Sequence, residues 1–380
     1  MHFSCAERNY YSGCQITKLY LLNPSLLSAP ISAVEPRIMR LIQKRIPGSF
    51  SKGLTGKVLR RIFIPAYQKR TGHKLSQLQA EWVVQGFFSR LWQYRFAARD
   101  SLSRPYKEVR CDCEFGPELK YYLPYAYWHH LNGTLKQTTS FAGTRPFYFF
   151  SPDHVERTGT RKYILDPNVP NSEDHNFSYT YRRWAQVPLK ETFRNVLKFS
   201  FDKPLVIISN KFNREWNGYP VNFLSAEILG SIIQRLVPHY TVVYNRPGEG
   251  LIVLDNNDAQ ELREKEFLRV HFPQVLFAED IFAQRKEEVN GFNHLQLCLY
   301  AQCERFISVQ GGNSVLASYF GGTNLIYQRQ GNEILFGELN TIYPRLAGTA
   351  CYGYSNYESL LQAVDHHYGI HSSNSVTASS

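Results

Sequence analysis

Residues 204–209 read PLVIIS, an apolar run broken by no polar position before its closing serine. A strand that cannot spare a solvated face belongs in a parallel sheet with helices packed on both sides. Beyond this run the hydrophobic period alternates. Residues 225–236 read helical and 240–244 and 251–254 as strands. A helix over 261–270 and a strand over 275–278 come next, then a helix over 293–301 and a strand over 305–309. A helix over 314–320, a strand over 324–327 and a closing helix over 357–367 complete the series. Strand–helix alternation of this kind predicts an α/β fold with right-handed crossovers.

A smaller set of the same type precedes it. A strand is expected over 109–115 and a helix from Pro117 to about residue 130, with Pro124 as a kink point. Strands are expected over 134–141 and 146–150. Residues 151–185 read as a long connection with one doubtful strand. The expected division is a basic, mostly helical N-terminal extension (1–105), a first sheet domain (106–200), a second (201–368) and a disordered tail (369–380). In open parallel sheets, ligands bind beyond the carboxyl ends of the strands, so those loops are where function is sought.

Charge narrows the partners. The chain carries a net +11, and residues 36–100 alone hold fourteen lysines and arginines against Glu81 and Asp100. The basic character therefore belongs to one segment, in which Phe63, Tyr67, Trp82 and Phe87 are interleaved. An anionic membrane surface is the partner this segment could take, and nucleic acid is not the expected one. The most apolar early stretch, 16–34, is interrupted by Lys18, Asn23, Pro24 and Pro30, so no spanning helix is expected. The start also lacks the pattern of a secretory signal. These features predict a cytoplasmic protein, peripheral on the inner membrane face. The seven scattered cysteines form no facing CxxC pairs and read as reduced thiols rather than a zinc site.

The most informative stretch is RFISVQGGNSVLASYFGGTNLIY, residues 305–327. A buried strand runs into Gly311-Gly312, where a tight turn lets a ligand approach the main chain. Asn313 or Ser314 can cap the helix that follows, whose N-terminus suits a phosphate. This segment resembles the donor-binding corner of the GT-B class of nucleotide-sugar glycosyltransferases, and is similar to their HCGWNS stretch at Gly311, Asn313 and Ser314. The later Gly322-Thr323-Asn324-Leu325-Ile326 resembles the G-x-P-x-I that comes after that stretch. The resemblance departs where the motif's His is Val309 and where its ribose-holding Glu falls near Ala317. It implies two Rossmann-like parallel-sheet domains facing one another. It also implies a donor diphosphate at Gly311, Gly312, Asn313 and Ser314.

The loop after the first strand of the same domain, residues 208–216, offers Ser209, Asn210, Lys211, Asn213 and Arg214 at the same sheet edge. Lys211 and Arg214 can neutralise a departing diphosphate without a metal. Arg246, after the next strand, belongs to that edge too. Transfer with inversion needs a base, which the resemblance places in the first domain. Glu114, Glu118, Asp153 and His154 are the candidates there. No D-x-D flanked by strands is present, so no metal and no cofactor are expected. GxxxxGK[ST], G-x-S-x-G and HExxH are missing as well. The expected activity is metal-independent transfer of a sugar from a nucleotide-sugar donor to a glycan or lipid-linked acceptor, as in polysaccharide biosynthesis. The alternatives are an epimerase of the same fold and a non-catalytic basic binding module.

Overall fold

The six-stranded sheet forms around β4 (Leu205–Ser209), whose five residues are all buried. Leu205 and Ile207 enter one apolar cluster, and Val206 and Ile208 enter another on the opposite face. That division explains why Leu205 to Ile208 are all apolar, and each such side chain contributes about 1.5–3 kcal/mol of burial. The remaining strands are β5 (Thr241–Asn245), β6 (Leu276–Phe277), β7 (Arg305–Val309), β8 (Thr323–Tyr327) and β9 (Ala350–Tyr354). All pair in parallel, in the order β6-β5-β4-β7-β8-β9. Counted from β4, this is the doubly wound order 3-2-1-4-5-6, with its switch point between β4 and β7.

The structure is a computed structural model. It describes residues 54–72, 74–103, 107–162, 166, 168–171, 179–214, 218–248, 250–253 and 260–369. Residues 1–53 of the expected N-terminal extension, Leu254 of the expected strand and the tail from residue 370 lie outside the described residues. Residues 59–380 form one compact unit; of the other unit, 1–58, only 54–58 are described.

The crossover helices form as their sequences dictate. Two of them are α5 (Ala226–Leu236) and α10 (Tyr357–His367), numbered in chain order. In α5, Leu229, Ile232, Ile233 and Leu236 are buried at steps of three and four, and Ser225 caps the start by accepting the N–H of Ile228. In α10, Asn356 caps the start by accepting from Ser359 at 2.8 Å, and Leu360 and Val364 face the same cluster as α5. Between them, besides three short unnumbered helices within residues 332–347, lie α6 (Glu264–His271), α7 (Ala278–Arg285), α8 (Phe292–Tyr300) and α9 (Gly312–Ala317). The turn from α9 into β8 needs glycine: a Cβ on Gly322 would stand 2.1 Å from the Glu304 carbonyl oxygen, and its φ is +67°.

The smaller sheet is also parallel, in the order β1 (Lys107–Arg110), β2 (Leu135–Phe141), β3 (His154–Arg157). Its first crossover passes through a helical turn (Phe115–Pro117), a π-helical turn (Glu118–Tyr122) and α3 (Leu123–Leu131). A short helix, α4 (Leu189–Phe193), precedes β4. Two parallel sheets thus match the expected α/β class. One apolar cluster runs from Val109 and Tyr122 of the smaller sheet to Ile207 and Phe306 of the larger.

Several local expectations are corrected. Residues 147–150 are not a strand. Turns close at Thr144–Phe147, Arg145–Tyr148 and Tyr148–Ser151, and Phe147, Tyr148 and Phe150 bury their rings from these turns. The strand is β3, a few residues later. Residues 251–253 form a turn and a bend, with Leu251 N–H bonded to the Gly248 carbonyl at 3.1 Å. β9 was not expected: it lies at the sheet edge with mostly exposed side chains, so it lacks an apolar signature. In the basic segment, α1 (Leu54–Thr71) continues through Pro65, and α2 (Gln77–Ser103) runs for 27 residues. Among the described residues no helix is long and apolar enough to cross a membrane.

Candidate functional site

The loops at the switch point open onto a cavity of about 380 Å³. The loop after β4 supplies Asn210, Lys211 and Asn213, and the corner after β7 supplies Gly312 and Asn313. Arg246, Pro247 and Gly248 come after β5, and Gln260, Glu261 and Lys265 enter from in and around α6. Opposite them, Phe115, Ala142 and Arg161 come from loops beyond the carboxyl ends of β1, β2 and β3. The carboxyl edges of both sheets therefore meet at one cavity.

Local hydrogen bonds order the loops and side chains that bring the cations to the cavity. Asn210 is buried and fully used: its Oδ1 accepts the N–H groups of Lys211 (2.9 Å) and Leu224 (3.0 Å), and its Nδ2 donates to the Leu224 carbonyl (2.9 Å). It therefore fixes the loop that presents Lys211. The Lys211 ammonium lies above the glycine corner, 3.2 Å from where a Cβ on Gly311 would be. Arg246 Nη1 donates to both oxygens of buried Glu264, at 2.8 and 2.9 Å, and Nη2 donates to the Gln260 carbonyl at 2.6 Å. Tyr244 donates to the same Glu264 at 2.9 Å, and burial followed by that carboxylate holds its phenol well above the usual range. Lys265 pairs with Glu279 at 2.6 Å.

Arg161 is built most firmly. Its Nη1 bonds Glu118 Oε2 at 2.5 Å and the Cys113 carbonyl at 3.3 Å. Its guanidinium sits 4.6 Å from the Phe141 ring centre and 5.3 Å from that of Phe115. Glu118 stands behind it, accepting also from Ser140 and from Tyr148 at 2.9 Å.

The glycine corner is closely packed. A Cβ on Gly312 would lie 2.6 Å from Phe115 Cδ1, and one on Gly116 would lie 3.7 Å from Gly312 N. The two sheets are tied nearby by Asn293 Nδ2 donating to the Gly143 carbonyl (2.8 Å) and by the buried Lys120–Glu338 pair (2.5 Å). Tyr319 adds a bond to the Leu119 carbonyl (2.6 Å). Asn293 lies in the first turn of α8, whose N-cap is Gly291, so it bridges rather than caps.

The residues singled out from sequence divide accordingly. Asn210, Lys211, Arg246, Gly312 and Asn313 line the cavity. Gly311 forms the turn under Lys211, with φ +130°. Ser314 lies beneath: its hydroxyl donates to the Gly311 carbonyl (2.8 Å), accepts the Gly311 N–H (3.2 Å) and meets Tyr343 (3.2 Å). Ser209 is buried against Tyr300 (2.6 Å). Exposed Arg214 does not line the cavity.

None of the four candidate bases lines it either. Glu114 is the residue before the first helical turn, and Glu118 is spent on Arg161. Asp153 precedes β3, so it stands at the amino edge and not the carboxyl edge; it accepts from Gln137. Buried His154 opens β3 and engages both ring nitrogens, with Thr138 at 2.8 Å and Thr144 at 3.1 Å, under a stacked Tyr148. Burial lowers its pKa from the ordinary histidine value.

Arg161, Lys265, Gln260 and Phe115 were missed. Arg161 would have been found had β3 been placed correctly, since it then lies just past a strand end.

No protein-family model matches the chain, and no curated protein matches it. Among solved structures, it is similar to ADP-heptose lps heptosyltransferase II of E. coli, with 11% identity and a TM-score of 0.41. That match covers 67% of this chain and 98% of the other. It is similar also to a glycosyl transferase family 9 protein of Veillonella parvula, with 7% identity and a TM-score of 0.41, over 73% of this chain and 93% of the other.

Proposed function

We propose that this chain is a glycosyltransferase that takes its sugar from a nucleotide-sugar donor and passes it to a glycan or lipid-linked acceptor. The observation that carries the reading is the position of Lys211. Its ammonium lies over the Gly311 turn, at the switch point of the sheet and on the wall of the cavity. Backbone and cation there converge on one small volume, which suits a diphosphate.

Breaking the bond between a sugar and a diphosphate places new negative charge on the leaving nucleotide. Donors held rigidly before reaction stabilise that charge without reorganising. Arg246, fixed through Glu264, is such a donor, and Lys211 extends from a loop whose backbone Asn210 fixes. These cations support the metal-independent form of the reading. The acceptor would enter on the side of Phe115, Ala142 and Arg161, so residues 106–200 would serve the acceptor and 201–368 the donor. The groups considered for the base lie off the cavity wall, so the proposal rests on the donor side.

The test is a thermal-shift and calorimetric screen of UDP, GDP, ADP, CMP and their sugars in the presence of a chelator. One of them should raise Tm by mass action. Lys211→Ala should weaken that ligand roughly tenfold or more, the scale of one charge-assisted hydrogen bond. If no nucleotide binds at millimolar concentration, or if Lys211→Ala binds as well as the parent, the proposal is wrong.

A further inference from the structure

Helix α1 presents exposed side chains on its outer face. Its inner side is anchored: Ile64 is buried with Val83, Val84 and Phe336, and Tyr67 packs against that group. This anchoring fixes what points outward. Ile62, Ala66 and Lys69 recur at steps of four and three, and all are exposed, as are Phe63 and Arg70 beside them. Ile62 is 70% exposed and Phe63 38%. Exposed Arg61 and Lys74 flank the stripe, and no Asp or Glu occurs between residues 54 and 80.

We infer that the outer face of α1 lies on an anionic lipid surface. The combination of chemistries carries the inference. A branched aliphatic and an aromatic side chain held outward cost free energy in water and gain it at the boundary between headgroups and acyl chains. The cations around them meet the negative headgroups, each contributing a severalfold gain in affinity. A nucleic-acid backbone would use the cations and gain nothing from Ile62. At 18 residues the helix is about 27 Å long. It is charged along its length and is not a spanning helix, so it lies along the surface. The inference is independent of what the cavity binds.

Full-length protein mixed with phosphatidylcholine vesicles, with and without phosphatidylserine, tests it by co-sedimentation. Binding should require phosphatidylserine. Lys69→Gln combined with Arg70→Gln should weaken it by roughly tenfold or more. Ile62→Asp should weaken it comparably, and part of the parent's binding should survive added salt because an apolar contact is not screened. Both variants change exposed positions, and their melting temperatures should equal the parent's. Equal binding to vesicles without phosphatidylserine would overturn the inference, as would indifference to both variants. So would tight, steeply salt-dependent binding of a nucleic acid with no binding to vesicles.

Discussion

Glu118 is paired with Arg161 inside the protein, and a single substitution measures what that pair contributes. Glu118 is 1% exposed and accepts from Ser140, Tyr148 and Arg161. Replacing it with Gln preserves size and most hydrogen bonding but removes the charge that compensates Arg161. The guanidinium side chain is itself only 2% exposed, so it would be left as an uncompensated charge on the cavity wall. Orphaning one partner of a buried ion pair costs about 3–5 kcal/mol. For a unit of this size that lowers Tm by roughly 4–7 °C. Differential scanning calorimetry of Glu118→Gln reads the loss directly. Adding Arg161→Gln removes the orphaned charge and should recover part of it, so the double variant melts above the single. A Glu118→Gln protein that melts like the parent would refute the reasoning. So would a double variant whose loss is the plain sum of the two singles.

The same packing sets other outcomes. Gly322→Ala should destabilise severely and yield little folded protein, because its Cβ would meet a backbone oxygen at 2.1 Å in a left-handed turn. Gly312→Ala would crowd the Phe115 side chain, at 2.6 Å from its ring and 3.3 Å from its Cβ, and should cost about 1–3 kcal/mol by denaturant titration. Ile233→Ala, in the core under α5, should cost about 2–5 kcal/mol in the same assay. Burial depresses the His154 pKa, so the unfolded chain takes up a proton there more readily than the folded one. The stability contributed by neutral His154 is therefore full above the unfolded value of about 6.5 and declines as pH falls through it. Measured between pH 8 and pH 5, the parent should lose more stability than His154→Gln.

Much of the larger sheet was legible because burial on two faces leaves a mark in composition. β4, β7 and α10 could be placed because their apolar positions have no other use. The errors came where burial does not imply pairing. Phe147, Tyr148 and Phe150 satisfy the same apolar demand from successive turns, and nothing in their order distinguishes that from a strand. One misplaced strand then carried the site with it. It put Asp153 on the carboxyl edge, which the parallel register of β2 with β3 gives instead to the loop holding Arg161. The edge strand β9 failed for the opposite reason, since a strand covered on one side by a single neighbour need not be apolar.

On the donor side, the sequence could show that Lys211 and Gly311 both come just after strands. It could not show that they meet, because they are a hundred residues apart and their contact depends on β4 pairing with β7. Nor could it show that Ser314 and Ser209 are spent internally, since a hydroxyl's partner is a matter of geometry. The order of the strands is what turns two weak local patterns into one site. In any other order, the same lysine and the same glycines would be ordinary loop residues.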